Sequence, residues 1–533
     1  MGERYLLDCT LRDGGYLNDW AFGHETMAYL FSRQAASGVD FIEVGFLDER
    51  RTFDPERTIQ PDTACFDRLF GGFDRGKSRV VAMIDYGTCG IGQVAPAAES
   101  CLDGIRVIFK KHNRRPALEF CRQLKDLGYL VFTQAVSITS YTDEELGDLI
   151  RLVNDVKPFA VSMVDTYGLL DPAGVTRILE IIDRDLDPGI AIGYHAHNNF
   201  QLGYSNSVSV LNRCQGRAVL CDGSLYGMGK SAGNAPIELI ALYMNSHFGK
   251  SYDVLQMQEA ISTVVMDLYA EKPWGYQLFY YIAAANRCHP DYVSYLMNKR
   301  TLSVSAINEI LALLPEEEKL NKNVKLLEKL YLDYQQSHCD DEEVLEELSR
   351  MLSGRKILLI GPGKTVKDRK EEILAFIRAE SPEVLPVNHL PEGIPADLLF
   401  LTNSRRYSRL APALSADRAP RIIATSNVTK TGGRFDYVLD YGALTDPSAE
   451  FPDNSLLMLL RLLIRLGIGE AYLAGFDGYT PYDINFYDGR MAYSFVREKA
   501  ETLNRQVKAF LAAHEGELRV RFITPSRYPE TEG

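Results

Sequence analysis

Along the first 240 residues, short runs of β-branched and other apolar residues alternate with longer stretches whose apolar positions recur every three to four residues. The short runs are typical of buried strands and the longer stretches of amphipathic helices. This alternation predicts a parallel sheet built from βα units. The predicted helices include residues 24–37, 116–127, 143–156 and 172–183, and the predicted strands are residues 5–9, 41–45, 79–84, 105–109, 130–135, 160–164, 190–194 and 218–221.

Eight βα units in about 240 residues match the size of a (β/α)8 TIM barrel, although an open doubly wound sheet has the same strand count. Polar residues at the strand ends favour the barrel, because closure gathers eight strand ends around one mouth, where catalytic groups lie. A single aspartate after a strand would more simply cap the next helix. The strand-end residues are Asp13, Glu43, Asp85, Lys110, Lys111, Gln134, Asp165, His195, His197 and Asp222.

The pattern changes twice after the barrel. Residues 252–352 are mostly helical in periodicity, and from residue 354 strands and helices alternate again. We therefore expect a TIM barrel over residues 1–250, a helical extension over 251–353 and a Rossmann-like α/β domain over 354–533. The strands predicted for the last part are residues 356–360, 397–401, 421–424, 437–439 and 471–474.

Composition narrows the class of protein. The 533 residues are too many for one ordinary core, and 46% hydrophobic with 24% charged residues is typical of globular proteins. The formal net charge of −14 argues against nucleic-acid and anionic-membrane partners. Nine cysteines without C-x-x-C spacing indicate neither a disulfide framework nor a zinc ribbon. The first residues carry no signal-peptide pattern, so we expect a soluble cytoplasmic protein.

The motif HAHNN places two histidines two residues apart after the seventh predicted strand. Residues i and i+2 of a strand point to the same side, so His195 and His197 can direct two imidazoles at one point. Histidine is a common metal ligand, yet an isolated His-x-His is more often an exposed pair that binds no metal. Its position in the barrel mouth favours metal binding.

Two further segments end near the same point. Asp13, beside Arg12, follows the first strand, which a closed barrel separates from the seventh only by the eighth. Alone, the Asp-Gly pair there would indicate a turn. The glycine-rich segment 222–234 follows the eighth strand and ends at Asn234, whose amide oxygen is a candidate ligand. This segment lacks the spacing of a dinucleotide-binding loop.

Five motifs in this order resemble one superfamily. They are LDCTLRDGGY at residues 7–16, IEVGF at 42–46, DTYG at 165–168, HAHNN at 195–199 and GMGKSAGN at 227–234. The pattern is similar to that of the DRE-TIM metallolyases, the HMGL-like lyases and synthases that make or break carbon–carbon bonds on a TIM barrel. Within that superfamily it most resembles the pyruvate aldolases of the 4-hydroxy-2-oxovalerate type. The resemblance covers the barrel and the helical segment that follows it, and it does not extend to the C-terminal domain.

The resemblance implies a set of site residues. Arg12 corresponds to the cation that stabilises an enolate, and Glu43 to its partner. Separately from the resemblance, Gln134, Thr166 and His289 are expected to bind the substrate. The implied metal ligands are Asp13, His195 and His197, with Asn234 as a fourth ligand or near neighbour.

The implied reaction is an aldol cleavage or condensation through the enolate of a metal-bound 2-oxo acid of the pyruvate type. Mixed imidazole and carboxylate ligands suit Mn²⁺ or Mg²⁺, with Zn²⁺ or Co²⁺ as alternatives. The expected partners are a small 2-oxo acid and an aldehyde, with no nucleic acid and no membrane. We also expect a homo-oligomer, a dimer.

The chain departs from the family pattern at two points. The lyase branch has a catalytic cysteine in the glycine-rich loop, whereas segment 222–234 contains none. The pyruvate aldolases have a histidine base two residues after the R-D-G motif, where this chain has Tyr16. Tyr16 is therefore the expected catalytic base, although an unperturbed tyrosine has a pKa near ~10.

Two alternatives stay open. The barrel resembles acyl-CoA-dependent Claisen synthases of the isopropylmalate synthase type, or it is a non-catalytic barrel serving a nucleotide-binding C-terminal domain. In that domain, ILLIGPGKT at residues 357–365 combines a strand, a glycine turn and a helix start, which can present N–H groups to a phosphate. It lacks Walker spacing, so an ATPase loop is not indicated.

Overall fold

The structure, a computed structural model, describes residues 2–214, 216–299, 301–336, 338–414, 419–430, 432–482, 486, 496 and 499–529. The chain divides into two compact units, residues 1–290 and 291–533. The segment predicted as a helical extension, 251–353, contributes helices to both units, and the three-part division stays a prediction. No helix among the described residues is long and apolar enough to cross a membrane.

The first unit is a closed barrel of eight parallel strands, which confirms the predicted TIM barrel. The strands are β1 Arg4–Asp8, β2 Phe41–Leu47, β3 Arg79–Asp85, β4 Gly104–Phe109, β5 Leu130–Ala135, β6 Ala160–Asp165, β7 Ala191–Ala196 and β8 Val219–Gly223. Each strand pairs with the next, and β1 pairs with both β2 and β8. The open doubly wound sheet is therefore excluded, and all eight carboxyl ends meet at one mouth.

Helices alternate with the strands along the chain, in the segments where the spacing of apolar residues predicts them. Helix α5, for example, begins after a reciprocal cap in which Thr142 Oγ1 accepts from the Glu145 N–H and Glu145 accepts from the Thr142 N–H. The helices of this unit are α1 Thr10–Asp13, α2 His24–Ser37, α3 Thr63–Phe70, α4 Arg114–Asp126, α5 Asp143–Val156, α6 Pro172–Asp185, α7 Gly203–Arg213, α8 Ile237–Phe248, α9 Val254–Ala260, α10 Met266–Glu271 and α11 Leu278–Ala285.

Aromatic side chains close the amino-terminal end of the barrel. The rings of Tyr5, Phe41, Phe132 and Phe159 pack against each other with centroids 5.0–5.8 Å apart. Edge-to-face and tilted packing of this kind fills the interior with apolar surface. The polar side chains of the candidate site lie at the opposite, carboxyl-terminal mouth.

The second unit is a parallel α/β unit. Its strands are β9 Ile357–Ile360, β10 Glu383–Pro386, β11 Leu398–Leu401, β12 Arg421–Thr425, β13 Tyr437–Leu439, β14 Glu470–Ala474 and β15 Arg519–Phe522. Its helices are α12 Pro290–Lys299, α13 Val304–Ala312, α14 Val324–Gln335, α15 Glu342–Leu352, α16 Thr365–Asp368, α17 Lys370–Glu380, α18 Ser404–Leu414, α19 Ser426–Thr429, α20 Tyr441–Leu444, α21 Ser455–Arg465 and α22 Ala500–Ala513. The sequence analysis missed β10 and β15, because one is four residues ending in proline and the other alternates arginine with apolar residues.

Candidate metal centre and active site

Three buried side chains from two strand ends converge in the barrel mouth. Asp13 lies at the end of α1, directly after β1, and His195 and His197 lie at the end of β7. One donor atom from each residue lies within 4.8 Å of the other two. The arrangement that the i, i+2 spacing predicted for the two imidazoles is therefore present in the structure.

Hydrogen bonds fix which imidazole nitrogen faces the centre. His195 donates from Nδ1 to Asp222 Oδ2 at 3.0 Å, and His197 donates from Nδ1 to the Lys230 carbonyl oxygen at 3.1 Å. Both Nε2 atoms consequently keep a lone pair, as metal-binding imidazoles do. Burial lowers the pKa of His197 to about 3, so this ring is neutral. For His195 burial also disfavours the charge, but the nearby Asp13 and Asp222 carboxylates outweigh it and raise its pKa.

Asn234 lies beside these donors. Its backbone forms an antiparallel bridge with His197, and its Nδ2 donates to the Met228 carbonyl oxygen at 3.1 Å. Its Oδ1 is buried and has no hydrogen-bond partner among the described residues. An unsatisfied buried oxygen is costly unless an ion or a ligand pairs with it.

The donor set fits a divalent cation. His195 Nε2 and Asp13 Oδ2 face each other at 3.5 Å, two electron pairs that a cation between them would satisfy. Two imidazole nitrogens, one carboxylate and the Asn234 oxygen suit Mn²⁺, Mg²⁺, Co²⁺ or Zn²⁺.

A glycine lets the loop after β8 close over the centre. A Cβ at Gly229 would lie 2.2 Å from Asn234 Nδ2 and 2.6 Å from Asp13 Oδ1. The next residue then donates its N–H to Asp13 Oδ1 at 2.8 Å. Any side chain at position 229 would separate this loop from Asp13.

Arg12 contacts the centre through its carboxylate partners. Its Nε donates to Glu43 Oε2 at 2.8 Å, and its Nη1 donates to Asp13 Oδ2. Burial opposes the charge on Arg12, but Glu43 and Asp13 outweigh it and raise its pKa well above the ordinary value. Burial likewise opposes ionisation of Asp13, while the Arg12 guanidinium holds its pKa well below the ordinary value. Both groups are therefore charged.

The structure adds Arg106 to the candidate site. The sequence analysis placed this residue in a strand without assigning it a function. This fully buried β4 side chain points into the barrel, with Nη1 2.8 Å from Glu43 Oε2 and Nη2 bonded to Asp222. An ion-pair chain thus runs from Arg12 through Glu43, Arg106 and Asp222 to His195. The signal available in the sequence was an arginine inside the apolar run Gly104–Phe109, because such a charge requires buried partners.

The three predicted substrate-binding residues lie at different places. Gln134 is buried, with its oxygen accepting from Arg106 at 3.2 Å and its nitrogen donating to Ser162 at 3.0 Å. Thr166 accepts the N–H of residue 137 at 2.7 Å in the loop after β6. The His289 ring lies 5.6 Å from Tyr167, which also follows β6. Their roles stay predictions.

Tyr16 stands at the rim of the mouth. Its ring packs against Trp20 at 4.9 Å, and the Lys230 ammonium lies 5.3 Å from its centroid. Burial and the Asp13 carboxylate raise the pKa of Tyr16, and Arg12 lowers it only in part. The resting residue is therefore a protonated phenol, and its role as base stays a prediction.

Replacing Asp222 with asparagine should weaken metal binding by about 10- to 100-fold, the usual effect of losing a partner that orients a ligand. The carboxylate fixes the His195 tautomer and neutralises Arg106. A competitive titration with a metal-binding dye measures the dissociation constant. Asp183→Asn is the matched control, since Asp183 pairs with Arg217 away from the mouth. An unchanged constant in Asp222→Asn would exclude this orienting role.

Comparisons with known proteins show what the barrel is similar to. The HMGL-like family model matches residues 109–264. A 4-hydroxy-2-oxovalerate aldolase from Pelotomaculum thermopropionicum is 24% identical over 265 residues, which are 49% of this chain and 76% of the relative. An oxaloacetate decarboxylase from Mycobacterium tuberculosis is 23% identical over 281 residues, 51% of this chain and 79% of the relative. The crystal structure of the N-terminal domain of a proposed aldolase from Bacteroides vulgatus is 24% identical, with a TM-score of 0.48 over 57% of this chain and 99% of that domain.

A closed parallel barrel and a match to the HMGL-like family model over residues 109–264 make this chain similar to the HMGL-like lyases. The barrel of this chain is similar to the DRE-TIM metallolyases, in agreement with the resemblance of its motifs. The named relatives are lyases, and the residues matched by the family model lie within the barrel.

Proposed function

We propose that the barrel is a divalent-metal-dependent aldolase that cleaves or forms a carbon–carbon bond next to the keto group of a 2-oxo acid. The observation that carries this proposal is the convergence of Asp13, His195 and His197 beside the buried cation Arg12. The named relatives support the substrate class. Retro-aldol cleavage of 4-hydroxy-2-oxovalerate and decarboxylation of oxaloacetate both leave the enolate of pyruvate.

The proposed site divides binding from charge stabilisation. Asp13, His195 and His197 would hold the ion, with Asn234 as a fourth ligand or near neighbour. A bound divalent ion supplies a Lewis acid that polarises a keto oxygen. Gln134, Thr166 and His289 are proposed to contact the substrate.

Arg12 would stabilise the negative charge that develops on the substrate. Its Nε and Nη1 are held by Glu43 and Asp13, while Nη2 makes no hydrogen bond to the described residues. That nitrogen can donate to an enolate oxygen without moving the side chain, because the two carboxylates hold the guanidinium in place. Donors arranged in advance where charge develops lower the barrier.

Tyr16 is proposed to carry the proton of the 4-hydroxyl group. Tyr16→Phe should therefore suppress retro-aldol cleavage more than exchange of the pyruvate methyl protons, since exchange involves no such hydroxyl. Rates of aldehyde release and of proton exchange are measured on the same preparation, with Tyr29→Phe, on the outer helix α2, as the control. Equal loss of both activities would show that Tyr16 instead positions the ligand.

The decisive experiment is solvent exchange. The Mn²⁺-loaded protein is incubated with pyruvate in D2O, and loss of the methyl proton signal is followed by NMR. Exchange without added thioester supports the aldolase, whereas a requirement for acyl-CoA supports the Claisen synthase. No exchange of any 2-oxo acid would favour the non-catalytic barrel. The cytoplasmic location and the homodimer stay predictions.

A further inference from the structure

The second unit contains a reversal of strand order. One sheet has the order β10-β9-β14-β15 and the other β11-β12-β13, and a parallel bridge between Val387 and Phe400 joins β10 to β11. From β9 the chain therefore builds the sheet in one direction as far as β13, and then returns to place β14 on the other side of β9. Crevices at such switch points, outside the carboxyl ends of the strands, are where ligands bind in α/β sheets.

A cavity of about 180 Å³ lies at this place. Gly363 after β9 and Gly475 after β14 line it from the two sides of the switch point, and Asn388 after β10 and Thr402 after β11 extend the wall. The strand order and the position of the cavity are independent observations. Both place the candidate binding site at the carboxyl ends of β9, β10, β11 and β14.

Hydrogen-bond donors line part of this cavity. Asn388 Nδ2 donates to Ser455 Oγ at 2.8 Å and to Thr402 Oγ1 at 3.0 Å, and the two hydroxyl oxygens lie 2.9 Å apart. One of the two hydroxyl hydrogens forms the bond between Thr402 and Ser455, so the second hydroxyl hydrogen can donate to a ligand oxygen. The cavity is also lined by Arg406 and Lys299.

Two helices of eleven residues begin at the same wall. Ser455 is the first residue of α21, and Arg406 lies in the first turn of α18. The amino-terminal ends of helices carry a partial positive charge that favours anions. Asn454 Oδ1 accepts from the Leu456 and Leu457 N–H groups, and Asn403 Oδ1 accepts from the Arg406 N–H. The donors to a phosphate group are therefore the Arg406 guanidinium and the remaining hydroxyl hydrogen.

The remaining lining suits the other parts of a nucleotide. Phe451 and Tyr479 provide aromatic surface for a planar ring. Asp453 also lines the cavity, and a carboxylate can accept hydrogen bonds from ribose hydroxyls. We propose that this cavity binds a nucleoside diphosphate, with Arg406 and Thr402 contacting the phosphates. The assignment does not depend on the reaction of the barrel.

Calorimetric titration of the full chain tests the proposal, with ADP, GDP, CDP and UDP as separate probes and pyrophosphate as the reference. At least one nucleoside diphosphate should bind with a Kd below about 100 µM, and pyrophosphate should bind at least about tenfold more weakly because it lacks the ring and ribose. No binding at about 1 mM of any of the four, or equal binding of pyrophosphate, would overturn the proposal.

Two variants locate the binding site. Arg406→Gln and Thr402→Val should each weaken binding about tenfold or more, since each removes one donor to a charged acceptor. Arg405→Gln is the matched control, because Arg405 is exposed on the same helix turn and does not line the cavity. Circular dichroism checks that each variant is folded, and two variants with different chemistry guard against one failing to fold. Wild-type affinity in folded Arg406→Gln and Thr402→Val would place the nucleotide elsewhere.

Discussion

Arg12→Lys should lower kcat by about 100-fold or more while the bound metal remains stoichiometric, which is the scale of losing one oriented donor to a developing oxyanion. The guanidinium of Arg12 holds Glu43 through Nε and Asp13 through Nη1, and so keeps Nη2 in a fixed position. A lysine ammonium is a single point charge without that planar fork. It can neutralise a carboxylate, but it cannot hold both partners and also donate in a fixed direction.

The measurement combines pyruvate proton exchange, aldehyde release and elemental analysis of the dialysed protein. Arg217→Lys is the matched control, because Arg217 is also a buried, ion-paired arginine of this barrel but precedes β8, at the end away from the mouth. This control should lower thermal stability without a comparable loss of kcat. Near-normal turnover in Arg12→Lys would remove Arg12 from the mechanism, and loss of metal would indicate that Arg12 mainly positions Asp13.

The double variant His195→Ala/His197→Ala should abolish metal retention. It removes two of the three clustered donors, and the remaining Asp13 carboxylate is already engaged by Arg12 and the N–H of residue 230. A single carboxylate paired with a cation has little affinity for a divalent ion. All activity that depends on the ion should be lost with it.

Metal content is determined by elemental analysis after exhaustive dialysis, together with the shift in thermal unfolding on adding Mn²⁺. The control is His24→Ala/His247→Ala, which removes two exposed histidines of the same unit. The milder pair His195→Gln/His197→Gln covers the case in which the alanine variant does not fold. Stoichiometric metal in either folded double variant at positions 195 and 197 would contradict the assignment.

The positions of helices and strands in the barrel could be predicted from the sequence. The predicted helices at residues 24–37 and 143–156 coincide with α2 and α5, because their apolar period and, for α5, the Thr142–Glu145 cap are properties of neighbouring residues. The eight strands of the barrel were likewise found within two residues at either end. The spacing of His195 and His197 already implied two imidazoles on one side of a strand.

Other features depend on residues far apart in the chain. Arg106 gains its partners, Glu43 and Asp222, only when β2, β4 and β8 converge inside the closed barrel. The edge strand β15 is recognised through its pairing with β14, since its own four residues alternate charge with apolar surface. Its burial is only partial, so the hydrophobic pattern is weak there.

The sequence by itself determined the alternation of strands and helices, which follows from periodicity over a few residues. It also contained the motifs whose resemblance to one superfamily implied the residues of the candidate centre. Only the tertiary structure decided that the barrel closes, which nitrogen of each histidine faces Asp13, that Asn234 Oδ1 is left without a partner, and that a cavity lies where β9 and β14 diverge. The physical reason is that hydrogen-bond partners and enclosed space are set by contacts between distant segments, and those contacts exist only once the chain has folded.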